Sequence, residues 1–195
     1  MSTYYHGSSV LFDKFDLAHA TEGDGKVKFG YGVYVTSKYE SAAHYSGEGH
    51  GKDADHHYVY TVEIPDMTND NFFYIKGLVN PIIIARTETK LGRVIPHEVK
   101  VEGKYFRKYL GNVLVGTTGS VKKLMDKADV IAEKAAAEFL VGIGVELIAW
   151  PTSWTNPDKG LNLAVMDDAK VSITAIDEIA LEKGKLVEGS QKKIK

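Results

Sequence analysis

Tyr4-Tyr5-His6-Gly7-Ser8, then Gly30-Tyr31-Gly32-Val33-Tyr34-Val35-Thr36, then Tyr45 eleven residues after Tyr34: these three pieces, in this order, carry most of the information in the chain. The first reads as a short strand over 3–8, in which Gly7 allows a close backbone approach. The second is a β-branched and aromatic run opened by two glycines, hence a second strand. Ser37 stands where a helix N-cap is expected, and 38–45 reads as a two-turn helix with Ala42 and Ala43 packed closely. A histidine on one strand, a tyrosine on the next and a tyrosine ending the following helix are thereby directed to one place.

Outward from this centre, 10–28 reads as an irregular crossing with a turn at Glu22-Gly23-Asp24-Gly25. Residues 47–57 are polar and glycine-rich, a loop. Residues 58–64 alternate like a strand closed by Pro65-Asp66. Residues 71–74 and 81–87 look extended, and 90–118 suggests short strands and turns. The clearest helix spans 120–141: Val121, Leu124, Met125, Ala128, Ile131, Ala135 and Phe139 recur at three- and four-residue spacing, with Ser120 as N-cap and Gly142 or Gly144 as the stop. Strands follow over 145–150, 161–166 and 171–176, with a loop over 151–160 carrying Trp154. The pattern predicts an α+β domain over 1–184, rich in strands and poor in helices, and a frayed basic tail over 185–195.

Composition narrows the chemistry. The chain has 195 residues, 44% apolar and 26% charged, as expected of one soluble globular domain. A formal charge of −2 supplies no global field toward nucleic acid or an anionic membrane. With no cysteine, thiol nucleophiles, disulfides and thiolate metal sites are excluded. No stretch approaches a membrane span and the N-terminus lacks a secretory pattern, so the expected location is cytoplasmic.

The converging residue types suit a flat, amide-bearing, cationic ring. Aromatic faces attract a pyridinium by roughly 0.5–2 kcal/mol each. Glycine backbone groups can pair with both ends of a carboxamide, and a neutral histidine can bond a ribose hydroxyl. Breaking a glycosidic bond to such a ring needs positioning and charge stabilisation more than acid catalysis. Taken singly, His6 is a strand-end histidine and Tyr34 and Tyr45 are core tyrosines. Gly30-x-Gly32 is a poor phosphate loop, since neither a third glycine nor Lys-Ser/Thr follows. The histidines and acids of 48–57 read as a solvated or substrate-gating loop, and no metal is expected.

His6-Gly7-Ser8, Gly30-x-Gly32-x-Tyr34 and Tyr45 together resemble the ADP-ribosyltransferases, in the diphtheria-toxin-like and poly(ADP-ribose) polymerase-like branch. The resemblance covers 3–64 well and 145–176 loosely. It implies a split β-sandwich with a few peripheral helices and NAD+ as substrate, without metal. By that likeness His6 bonds a ribose hydroxyl, Gly7 the carboxamide, and Tyr34 and Tyr45 sandwich the ring, with Ser8 and Gly32 also in the dinucleotide site. The family's third motif, a Glu-led strand, is best matched by Asn162-Leu163-Ala164-Val165-Met166-Asp167, which puts Asn162 at the glutamate position.

The family serine before the second tyrosine is Ala42 here. Asn162 can bond a ribose hydroxyl but cannot act as a base; Asp158 is the reserve carboxylate. The expected activity is transfer of a single ADP-ribose to a macromolecular acceptor, a protein, approaching past 151–160, with His6, Tyr34 and Asn162 as catalytic residues. Members carried by phages or used as toxins show a strand like the one over 60–65. The alternative is a catalytically silent module that binds NAD+, ADP-ribose or a partner. An RNA 2′-phosphotransferase of the same broad fold would need a second histidine and basic residues around the pocket, which the matching positions, Tyr34 and Asn162, lack.

Overall fold

The computed structural model describes residues 1–19 and 27–195, apart from the side chain of His50. In chain order these form β1 (Ser2–Ser8), β2 (Val33–Thr36), α1 (Tyr39–Ser46), β3 (His57–Ile64), β4 (Phe72–Tyr74), α2 (Pro81–Leu91), α3 (His97–Lys100), α4 (Gly103–Leu114), α5 (Val121–Asp126), α6 (Val130–Val141), β5 (Leu147–Pro151), β6 (Leu161–Val165), β7 (Ser172–Ile179), β8 (Leu181–Glu182), β9 (Lys185–Leu186) and β10 (Lys192–Lys193). The class is α+β. The turn expected over Glu22–Gly25 lies outside the described residues.

The main sheet has the order β10-β7-β3-β1-β2-β6-β5-β4 and is antiparallel except at β4/β5. Its centre is uneven. β1 pairs with β3 along its whole length, from Ser2↔Ile64 to Ser8↔Tyr58. On its other edge it meets β2 at the single pair Tyr5↔Thr36. Residues opposite one another in a ladder share a face, so the halves can be followed across this junction. His6 shares a face with Tyr60, and that face joins Tyr58, Val62 and Ile64 to Val33, Val35, Leu147, Leu163 and Val165 in one buried cluster. The two halves therefore fold onto a common core about the Tyr5–Thr36 link. On the opposite faces, Ala42 and Ala43 of α1 cover Val59, while α4 and α6 cover Ile148, Trp150 and Ala164.

The sequence reading is corrected mainly on the helices. Residues 81–87 are not extended but begin α2. Asn80 accepts from the Ile82 N–H at 2.8 Å, Pro81 occupies the first turn where its missing N–H is harmless, and Gly92 ends the helix at φ 69°. The Ile82-Ile83-Ile84 run imitates a strand locally, yet Ile83, Ile84 and Thr87 are buried along one helical face. Residues 90–118 hold α3 and α4 rather than strands.

The long helix of 120–141 is two. Asn112 on α4 donates to the carbonyls of Leu124 and Lys127 at 2.8 and 2.6 Å, extended Lys127 ends α5, and Asp129 caps α6 through Ala132 N–H. Ser37 does not cap α1; its hydroxyl accepts from Leu161 N–H at 2.9 Å and ties β2 to β6. The basic tail is not frayed: β10 pairs with β7, and Ile194 N–H reaches the Ile176 carbonyl. No helix of the described residues is long and apolar enough to cross a membrane.

Candidate functional site

At the junction between β1 and β2 the sequence-selected residues divide: Tyr34, Thr36 and Asn162 share one face of the sheet, while His6 stands on the other with Tyr60, Val33 and Val35. Ser37 N–H donates to the Leu161 carbonyl at 2.8 Å, so Val33, Val35 and Ser37 turn their main-chain groups to β6. Alternation then turns Tyr34 and Thr36 toward β1, and Tyr5 and Gly7 toward β2. A ladder continued past Tyr5↔Thr36 would pair Gly7 with Tyr34. The pairing stops instead, and the Tyr34 carbonyl bonds Nδ1 of His6 at 2.7 Å. A carbonyl only accepts, so Nδ1 carries the proton and Nε2 is left as the acceptor. The ring has displaced a backbone partner, leaving the Gly7 N–H and C=O without a strand on that edge.

His6 is held firmly. Phe15 meets it edge-on at 5.0 Å, with Phe12 and Tyr60 at 6.1 and 6.0 Å. Tyr60 stacks on Phe12 at 4.2 Å and ties down 10–12 through bonds to the Val10 carbonyl and Phe12 N–H. Burial lowers the His6 pKa from its usual 6.5, more than the Tyr34 carbonyl raises it. The imidazole is neutral at neutral pH. Gly7 is equally constrained: a Cβ there would lie 1.8 Å from the Ala42 carbonyl oxygen and 2.8 Å from Ser46 N. Only glycine lets α1 settle on β1, and that contact sets where Tyr45 projects.

The two tyrosines differ. The Tyr34 hydroxyl donates to the Gly30 carbonyl and accepts from Phe29 N–H, both at 2.9 Å. Its ring stands edge-on to Trp150 at 5.3 Å, and burial pushes its pKa up to about 12. Tyr45 is 46% exposed, with His44 at 5.8 Å as its ring neighbour. The glycines of Gly30-x-Gly32 serve packing: Gly30 has φ 120°, and a Cβ on Gly32 would meet the Val165 carbonyl at 2.7 Å. Ser8 caps the exit of β1, accepting from Val10 N–H at 3.0 Å.

Asn162 lies directly opposite Thr36 on one side and Trp150 on the other, buried on the face that carries Tyr34. Its Oδ1 receives a long 3.4 Å bond from Thr152, and its Nδ2 has no hydrogen-bond partner among the described residues. Thr36 Oγ1 is also buried and unpartnered. A lone buried hydroxyl costs about 1–3 kcal/mol, and Thr36 Oγ1 is such a group beside the Asn162 amide. Asp158 is exposed, in a cleft of about 550 Å³ with Ser37, Lys38, Tyr74, Gly160 and Leu161 at the start of β6, the end that carries Asn162. None of His6, Tyr34, Tyr45 or Asn162 lines it. Asp167 caps a turn through Ala169 N–H, and Glu146 bonds Asn71 and Lys170.

Of the 48–57 loop, His56 bonds Glu178 at 2.7 Å and His57 the Ser46 carbonyl at 3.1 Å. Among the described residues no group of three or more histidine or acidic side chains is placed to hold a metal ion. The sequence reading overlooked Thr36, the Phe12–Phe15–Tyr60 cluster, and a buried Arg107–Glu133 pair behind Tyr34. The last had a signal: Arg107 and Glu133 each fall beside the apolar positions of a helical stripe, Phe106/Leu110 and Ala136/Leu140. Compared with known family models, curated proteins and solved structures, the chain has no match.

Proposed function

We propose that the protein is an NAD+-dependent mono-ADP-ribosyltransferase of the diphtheria-toxin-like and polymerase-like type, with a split β-sandwich fold. The observation that carries this reading is the His6–Tyr34 bond, which keeps the β1/β2 ladder open and leaves the Gly7 amide pair free beside an aromatic wall. A carboxamide offers one donor and one acceptor, the complement of a free N–H and C=O. Tyr34, fixed by its hydroxyl, forms one wall for the nicotinamide ring; Tyr45, half exposed, forms the other. His6 holds the gap open through Nδ1, and its Nε2, flanked by Phe12, Phe15 and Tyr60 on the other face from Thr36 and Asn162, is the acceptor that a ribose hydroxyl would have to reach.

In the reaction the glycosidic C–N bond breaks, nicotinamide leaves with the electron pair, the acceptor attacks the ribose C1′, and the acceptor's proton passes to solvent. Thr36 and Asn162 would bond the ribose hydroxyls. They orient the sugar without the full negative charge of a carboxylate, which suits single-unit transfer. The acceptor, a protein, approaches past the 151–160 loop, where Trp154 is 46% exposed with Lys76 Nζ 4.1 Å from its ring. The protein acts as a soluble cytoplasmic enzyme in this reading.

Incubation with labelled NAD+ and cell lysate tests it. Labelled protein bands are expected, lost in His6→Ala and strongly reduced in Tyr45→Ala. Absence of NAD+ binding by thermal shift overturns the reading. The second reading, a silent NAD+- or ADP-ribose-binding module, is favoured by one observation, the neutral Thr36–Asn162 pair. Binding without label or nicotinamide release selects it. Asn162→Glu then separates the two: restored labelling identifies the ribose site, and unchanged behaviour removes Asn162 from it.

A further inference from the structure

We propose that the buried Arg107–Glu133 pair is a positioning device for the aromatic wall of the ring site, coupling the helical layer to Tyr34; the proposal rests on the reading of Tyr34 as that wall. Both side chains are all but fully buried, 2% and 3% exposed, with Nη1 of Arg107 2.8 Å from Glu133. An ion pair this deep forfeits the hydration of two charges, and apolar replacements of similar volume are often neutral or stabilising. Stability therefore does not explain its presence. Its geometry points elsewhere.

Arg107 aims Nη1 and Nη2 at the carbonyls of Val27 and Lys28, at 3.5 and 3.4 Å. Val27 holds φ 55°, a conformation a β-branched residue adopts only under constraint. Gly30 N–H closes the turn on the Val27 carbonyl at 3.0 Å, and the Gly30 carbonyl receives the Tyr34 hydroxyl. A Cβ on Gly30 would stand 3.1 Å from Nη1, so the guanidinium lies directly under the turn. Guanidinium, turn and tyrosine form one chain of contacts. Glu133 sets the guanidinium from α6; burial raises its carboxyl above the usual range, and Arg107 and then Lys108 pull it back down.

The test pairs the double variant Arg107→Met/Glu133→Leu with Arg107→Lys, which keeps the charge but loses the planar fork that sets Nη1 and Nη2 each on its own carbonyl. Three quantities are measured: the melting temperature, NAD+ affinity by calorimetry, and amide exchange at Phe29 and Gly30 by NMR. Expected are a melting temperature within a few degrees of the parent for at least one variant, affinity weakened at least tenfold in it, and exchange at Phe29 and Gly30 at least tenfold faster, with Leu163 in β6 unchanged. Parental affinity and parental exchange in a folded variant overturn the proposal. So does unfolding of both, which would make the pair a stability element. If the parent itself does not bind NAD+, the functional reading fails, and the exchange of Phe29 and Gly30 still decides the positioning role.

Discussion

The two edges of β1 carry the same residues to opposite ends. Against β3 the strand is zipped from Ser2 to Ser8, and against β2 it is joined at Tyr5 alone. Both edges are glycine-containing and aromatic, so propensity does not separate them. One side chain does: the His6 ring takes the Tyr34 carbonyl that a second ladder would have used. A strand can thus be structural on one edge and open on the other at the cost of one inserted ring. The closed edge holds the fold, while the open edge exposes the hydrogen-bonding pair on which the proposed function depends.

The largest expected break in that contrast is Gly7→Ala. The new methyl meets the Ala42 carbonyl at 1.8 Å, which is backbone and cannot swing aside. Displacing α1 should cost about 3 kcal/mol, the upper part of the overpacking range. Urea unfolding measures it, and a loss below about 1 kcal/mol would mean that α1 is not seated on β1 as described.

Tyr34→Phe comes next. It strips partners from the Gly30 carbonyl and the Phe29 N–H together. A loss of about 2 kcal/mol is expected, within the range for leaving buried polar groups unpaired. The ring stays, so any fall in NAD+ affinity reports its orientation rather than its presence. Parental stability would show that the hydroxyl does not anchor the turn.

How far this contrast was legible in the chain depends on the range of the forces involved. The strands around His6, Tyr34 and 58–64 were readable because alternation and turn residues act locally. The triple Ile82-Ile83-Ile84 misled, since β-branched residues favour strands until a Pro at the first turn and an Asn cap decide for helix. The break between α5 and α6 was marked within 120–141 only by Asp129, the cap of α6, because the group that takes the carbonyls ending α5 is Asn112, on the preceding helix. The tail looked unstructured from its lysines, yet its backbone finds the free edge of β7, and backbone pairing carries no sequence mark. At the site, the types and spacing of His6, Tyr34 and Tyr45 were readable. That His6 bonds a main-chain carbonyl, and that Thr36 faces Asn162 unpartnered, depend on register, which a one-residue slip would reverse.

The pH response probes His6 itself. Its pKa is lowered in the folded state, so below the usual 6.5 the unfolded chain binds more protons than the native one. Stability is then full above about pH 6.5 and declines as pH falls through the window beneath it. His6→Asn places an amide nitrogen near the position of Nδ1 and keeps the bond to Tyr34 without a titrating group. Melting curves from pH 7.5 to 5 should show a shallower decline in this variant. An identical slope would mean that His6 is solvated or already charged.

The smallest effect on the fold, and the sharpest on the proposed site, belongs to Tyr45. Half exposed at the end of α1, it touches His44 and carries no hydrogen bond that the fold requires. Tyr45→Ala should change stability by less than about 0.5 kcal/mol, as for surface positions free of special contacts. One aromatic face lost from a pyridinium is worth roughly 0.5–2 kcal/mol, so NAD+ affinity should fall about two- to thirtyfold. Tyr45→Phe should restore most of it, because the ring rather than the hydroxyl does the stacking. Tyr34 and Tyr45 would then form a matched pair: one tyrosine whose loss is felt first in the fold, and one whose loss is felt only in the ligand. If Tyr45→Ala instead lowers the melting temperature and leaves binding intact, the ring packs on the protein in solution and the open edge of β1 has a single wall.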